Sequence, residues 1–140
     1  MNIDSIQNGV VIDHIEAGSA MKLYDLLGLD SIDVSVAIIK NVQSKKMGKK
    51  DIIKIDADID LNLDVIGYVD PDATVDIIKN GVLVEKKNIA LPERLTNVIF
   101  CKNPRCITSI EHDLDQIFLL TNQEEYVYRC NYCEAKLENN

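Results

Sequence analysis

GVVIDHIEAGSAMKLYDLLGL, residues 9–29, changes its hydrophobic period halfway along. Gly9 to Ile15 is a run of β-branched residues entered through a glycine, which is a strand signal. From Gly18 to Leu29 the apolar residues Ala20, Leu23, Tyr24 and Leu27 recur at helical spacing, and Gly28 is a stop signal. Outward from this strand–helix pair the pattern continues. Val34 to Val42 and Asp51 to Asp58 are strand candidates, joined by the polar, glycine-containing QSKKMGK (43–49). Leu61 to Val69 has the pattern of a short helix, ended by Asp70-Pro71. Thr74 to Lys79 and Val82 to Asn88 flank Asn80-Gly81, the residue pair that a type I′ hairpin turn requires. The order strand, helix, strand, strand, helix, strand, plus one hairpin strand, implies an α+β fold. It is a ferredoxin-like N-terminal sheet with two helices on one face, and the other face is left to water or a partner.

The chain has 140 residues, enough for one ordinary domain or two small ones. Aromatic residues make up 5% and Trp is absent, so the expected core is aliphatic, dominated by Ile and Val. A net charge of −8 argues against a general nucleic-acid binder, which needs a basic face. The first residues, MNIDSIQNG, lack the basic and apolar regions of a signal peptide, and no apolar run approaches the roughly 18 residues of a membrane helix. The expectation is a soluble, cytoplasmic chain with no membrane partner. Leu91-Pro92-Glu93-Arg94 marks a boundary, with a first domain over 1–91, a linker over 92–96 and strand pattern resuming at Asn97. Residues 1–96 carry 11 basic and 16 acidic side chains and residues 97–140 carry 4 and 7, so neither part is basic.

All four cysteines fall in the second part: Cys101, Cys106, Cys130 and Cys133. Each short pair can converge on one ion through a turn, and the long insert returns the chain to complete a tetrahedron. Four thiolates make a closed structural zinc site with no position for a catalytic water. Four buried free cysteines and an iron site are the competing readings. A 44-residue segment, 97–140, is too small to bury an adequate core alone, so metal binding and folding are expected to be coupled in a small all-β zinc-binding domain. Such a domain grips nucleic acid or contacts protein; Glu111, Asp113, Asp115, Glu124 and Glu125 weigh against nucleic acid.

In the first domain Lys50 and Lys54 lie four apart on a strand, hence on one face, with Ile53 and Ile55 on the other. Lys86 on the last strand and His14 at the end of the first complete a possible anion site. Strand lysines are more often a solvated face, and a lone histidine more often structural.

The strings VIDHI (11–15), MGKKDIIKI (47–55) and LPER (91–94), followed by the cysteine tail, resemble the regulatory chain of aspartate carbamoyltransferase over almost all of the sequence. The resemblance implies a non-catalytic subunit whose N-terminal domain binds the nucleotide effectors CTP, ATP or UTP. Its zinc domain would contact the catalytic chains, and regulatory-chain homodimers would bridge catalytic trimers in pyrimidine biosynthesis. By position, Asp13 would hold the ribose and Lys54 would lie near ribose and base. His14 and Lys86 would face the phosphates with Lys50 nearby. Ile6 and Val11 would line the base pocket, and backbone groups around Ile3 to Ile6 would read the base edge. Asp76 stands where the family commonly has a polar amide, and its charge would repel phosphate if it points inward. Gly81 replaces a larger residue near the base, and the N-terminal segment is short. The rival is a zinc-ribbon nucleic-acid-binding protein. A free-standing enzyme finds no nucleophile–base pair, no Gly-rich phosphate loop and no open metal position here.

Overall fold

In a computed structural model, which describes residues 6–137, the chain divides into two compact units, 1–90 and 91–140. The larger unit runs β1 (Gly9–Glu16), α1 (Ala20–Leu26), β2 (Val36–Ser44), β3 (Gly48–Ile55), α2 (Leu63–Val69), β4 (Thr74–Lys79) and β5 (Val82–Asn88). Its five strands form one sheet in the order β2-β3-β1-β4-β5, antiparallel at every pairing. This is the expected ferredoxin-like arrangement with an appended edge strand. One face carries the buried Val10, Ile12, Ile15, Ile53, Ile55 and Val75, and α1 and α2 cover it with Ala20, Leu23, Val65 and Ile66. The two helices pack together, with Lys22 Nζ 5.4 Å above the Tyr68 ring.

Both helices are shorter than the periodicity predicts. α1 stops at Leu26, and Gly28 turns the chain with φ 69°. α2 starts at Leu63 because the Asn62 side chain accepts from Asp64 N–H at 3.1 Å, a cap that fixes the first turn. β2 and β3 are shifted from the expected 34–42 and 51–58, because they close on a tight connection in which Ser44 pairs with Gly48. Asn80 and Gly81 have φ of 52° and 76°, both positive as a type I′ turn demands.

Asp51 organises the register. It is fully buried, and it accepts from Gly18 and Ala20 N–H through Oδ2 and from Asn41 N–H through Oδ1, at 3.0, 3.3 and 3.0 Å. On either side of it a neighbour strand carries one extra residue: β1 between Ile12 and Ile15, and β2 between Ile39 and Val42. His14 and Asn41, at φ 59° and 60°, are the left-handed residues of these bulges. The β1 bulge keeps both Ile12 and Ile15 in the core although they are three apart.

The smaller unit has one three-stranded antiparallel sheet, β6 (Arg94–Thr96), β7 (Ile117–Asn122) and β8 (Val127–Cys130), in the order β6-β7-β8. β6 occupies most of the stretch 92–96 read as linker, and strand begins before Asn97 because Leu95 is fully buried between exposed Arg94 and Thr96. The unit's core is Leu95, Phe118 and Tyr128, the latter donating to the Pro92 carbonyl at 2.6 Å. The aliphatic core expected from composition therefore holds in the larger unit, whereas the smaller one packs aromatic rings. Among the described residues no helix is long and apolar enough to cross a membrane.

Candidate functional site

The face of the large sheet opposite the helices carries polar side chains in register. Residues paired across strands share a face. Lys54, Val11, Asp76 and Lys86 are successive neighbours across β3, β1, β4 and β5. Lys50 and Lys54 alternate with the buried Asp51, Ile53 and Ile55 and so point to this face. At the β1 bulge, Lys50 Nζ lies 3.0 Å from Asp13 Oδ1. The same Oδ1 accepts from His14 N–H at 2.6 Å. The imidazole Nδ1 is 3.0 Å from Thr74 Oγ1 of β4, so the bulge re-aims His14 while Thr74 holds its ring. Thr74 is a contact that sequence reasoning missed, because it depends on the β1–β4 register.

Two carboxylates on this face have opposite electrostatic fates. Burial alone would raise the Asp13 pKa, but hydrogen bonds from Lys50 and the His14 N–H, with their charges, bring it below the ordinary value of 3.8. Asp76 goes up from the same value. Burial is the main cause, Lys86 opposes it, Asp13 adds to it, and His14 and Lys50 oppose it weakly. Among the described residues the buried Asp76 Oδ1 has no hydrogen-bond partner. It therefore points inward, among the groups expected to face phosphate.

Ile6 is buried beside Gly9, where an added Cβ would come 2.7 Å from Ile6 Cγ2 and collide with the Ile55 carbonyl. The hairpin tip clamps the residues that follow Ile6: Gly81 N–H donates to the Gln7 carbonyl at 2.9 Å and Asn80 N–H to Asn8 Oδ1 at 3.2 Å. The Gln7 amide oxygen lies 3.2 Å from where a Gly81 Cβ would stand, so Gln7 occupies the space left by the missing side chain. Of the base-edge contacts expected around Ile3 to Ile6, residues 3–5 lie outside the described residues.

In the smaller unit the four cysteine sulfurs all lie within 4.8 Å of one another. Cys101–Cys133 and Cys106–Cys130 are each 3.7 Å apart, close to the edge of about 3.8 Å around a tetrahedral ion with metal–sulfur bonds of about 2.3 Å. The donor set and spacing fit one thiolate-bound metal ion. Cys106 and Cys130 are buried, and none of the four is in a disulfide. Without metal the crowded thiols resist joint ionisation. Burial pushes Cys101 up to about 12, while Cys133, although burial opposes it, is brought down to about 7 by the Ala135 N–H, the Asn103 side chain and neighbouring thiols. A metal ion removes that conflict by binding all four as thiolates. Two supports were not legible beforehand: Thr108 donates its hydroxyl to Cys106 Sγ at 3.1 Å, and Gln116 Oε1 accepts from Cys101 N–H at 3.0 Å.

Comparison with known proteins covers both units. Residues 1–90 match the family "Aspartate carbamoyltransferase regulatory chain, allosteric domain", and residues 93–140 match "Aspartate carbamoyltransferase regulatory chain, metal binding domain". Three similar proteins all bear the name aspartate carbamoyltransferase regulatory chain. That of Clostridium botulinum (strain Hall) is 48% identical over 134 residues, 96% of this chain and 92% of that protein. That of Bifidobacterium longum is 48% identical over 139 residues, 98% of this chain and 100% of its own length. That of Clostridium tetani is 47% identical over 135 residues, 96% and 94% of the two lengths.

Proposed function

The chain belongs to the family of aspartate carbamoyltransferase regulatory chains, the non-catalytic subunit of that enzyme, and we propose that it senses nucleotide triphosphates on the open sheet face and reports them to the catalytic chains. The observation that carries this reading is the in-register row Lys54, Val11, Asp76, Lys86, with Asp13, Lys50 and His14 beside it, on a chain of net charge −8. Local concentration of cations in an acidic background favours a bound polyanion over non-specific phosphate contacts. In this reading Lys86 and His14 hold the phosphates and Asp13, oriented by Lys50, accepts from a ribose hydroxyl. Lys54 reaches ribose and base, and Ile6 and Val11 pack the base. CTP, ATP and UTP are the effectors to test. The subunit modulates pyrimidine biosynthesis in the cytoplasm.

The metal is zinc, one ion per chain, held by Cys101, Cys106, Cys130 and Cys133 in a closed structural site. Zinc supplies cross-linking of the small unit and no catalytic step. Exposed Phe100, Ile107 and Ile110, at 63, 44 and 67% exposure, sit on and next to the first cysteine loop. We assign that apolar surface to the catalytic chain. The homodimer contact is assigned to β5, an edge strand with Val82, Leu83 and Val84 at 61, 51 and 54% exposure. The acidic charge and the family do not favour the nucleic-acid-binding alternative.

Calorimetric titration of CTP and ATP into the full chain tests the sensor. Lys86→Ala is expected to weaken binding by about 10- to 100-fold, the range for loss of a charge-assisted hydrogen bond. Binding indifferent to that substitution would refute the phosphate assignment. Size exclusion with catalytic trimers, with and without a zinc chelator, tests docking: a complex is expected only with zinc.

A further inference from the structure

Asp76 is the charged group on the open face that nucleotide sensing leaves without a task. It projects between strands: its neighbours are Val11 on β1 and Lys86 on β5. The charged groups that face it are Lys86 from β5, Asp13 and His14 from β1, and Lys50 from β3. These groups were assigned to ribose and phosphates, so the carboxylate and the polyanion border the same space. Lysines that neutralise a triphosphate cannot also neutralise an ionised Asp76 beside it. Among the described residues its buried Oδ1 accepts no hydrogen bond.

A proton resolves the conflict without moving an atom. The ionised carboxylate only accepts hydrogen bonds, whereas the neutral acid of the same shape donates one O–H to a phosphate oxygen. We propose that a nucleotide triphosphate binds this chain together with one proton, taken from solvent by the Asp76 side chain, which then donates a hydrogen bond to the phosphates. The inference rests on the nucleotide-sensing reading of the open face. The free chain already leans this way: burial raises the Asp76 pKa, Lys86 opposes it, and Asp13 adds to the rise. A bound polyanion raises it further. Between the free and bound values, affinity falls as pH rises, by up to about tenfold per pH unit. Effector strength becomes a function of pH, and the same nucleotide acts more strongly in a mildly acidified cell.

Calorimetry on the full, zinc-loaded chain reads the proton directly. CTP and ATP are titrated at one pH in buffers of different ionisation enthalpy, and the series is repeated between about pH 5 and 8. The slope of heat against buffer enthalpy counts protons taken up. Wild type is expected to take up close to one proton more than Asp76→Asn, and the variant's affinity is expected to fall less steeply with pH. Every other group of the chain and the nucleotide's own phosphates are common to both proteins, so their share cancels. Equal uptake by two proteins that both bind overturns the proposal, as does loss of binding in Asp76→Asn with the fold intact by circular dichroism. If the variant does not fold, zero uptake by wild type across the pH range overturns it equally. If neither protein binds nucleotide at any pH, the sensing reading itself fails.

Discussion

Asp51 shows how much one side chain can decide. Its carboxylate satisfies three backbone N–H groups from the α1 entry and the β2 bulge, in a place with no access to water. Asp51→Ala leaves those donors unpaired, and the expected loss of stability is about 3 kcal/mol or more in urea unfolding. A loss under about 1 kcal/mol would mean that other acceptors replace it. Asp13 makes a pH-dependent contribution of definite sign. Its folded pKa lies below the unfolded one, so the stabilisation is present above the ordinary carboxylate range and is lost as pH falls through about 4 and below. Lys50→Met removes the largest cause of the depression and is expected to give a shallower acid arm in a stability-against-pH curve. An unchanged arm would place the effect elsewhere. In the sequence Asp51 reads only as a strand residue, and Asp13 gains a role only from the family resemblance, not as the partner of Lys50. Their roles follow from cross-strand register, which periodicity does not encode.

Elements were legible where local chemistry decides them. GVVIDHI gave a strand, Asn80-Gly81 gave a hairpin, and Asp70-Pro71 ended a helix, because each rests on backbone preferences of a few residues. Helix lengths were overdrawn: Leu27 and Leu29 continue the apolar period of α1 after the chain has left the helix. β6 was overlooked because a three-residue strand has no period to detect, and Leu95 alone marks it. The bulge at His14 was equally hidden, although it brings Asp13, His14 and Lys50 together. The entry to β1 is tight enough to test. Gly9→Ala drives a methyl into the Ile55 carbonyl and towards Ile6, so it is expected to cost about 1–3 kcal/mol and to weaken nucleotide binding by displacing Ile6. Retained affinity in a destabilised variant would remove Ile6 from the base pocket. For β5, Leu83→Glu is expected to shift the chain towards monomer in sedimentation equilibrium, and an unchanged dimer would take the interface off this edge.

The two units reach stability by different routes. The larger buries a continuous aliphatic layer, while the smaller has Leu95, Phe118, Tyr128 and four cysteines placed to share one metal ion. Cysteine spacing made the second route readable from sequence, since two short pairs leave few other uses for thiols in so small a unit. The aromatic core was not readable, because a low average hid its concentration: both Phe and three of the five Tyr lie after residue 90. Removal of metal is therefore expected to abolish hydrogen-exchange protection across β6, β7 and β8 while β1 to β5 keep theirs. Simultaneous loss in both units would show that they fold as one.

Until it meets a partner, the edge position of β5 also bears on how such a chain is kept soluble. Val82, Leu83 and Val84 form a short, exposed, uncharged and proline-free stretch on an edge strand, the composition that seeds intermolecular sheet growth. Glu85, Lys86 and Lys87 follow directly, and between the Ile77 and Ile78 pairings β5 carries one extra residue, Val84, a bulge of the kind that blunts a sheet edge. These act as gatekeepers against runaway stacking. Lys86 then has two duties, a ligand contact on one account and a solubility guard on the other. Lys86→Ala is therefore expected to lower solubility as well as affinity, and light scattering of the variant beside wild type reads the first loss separately from the calorimetry.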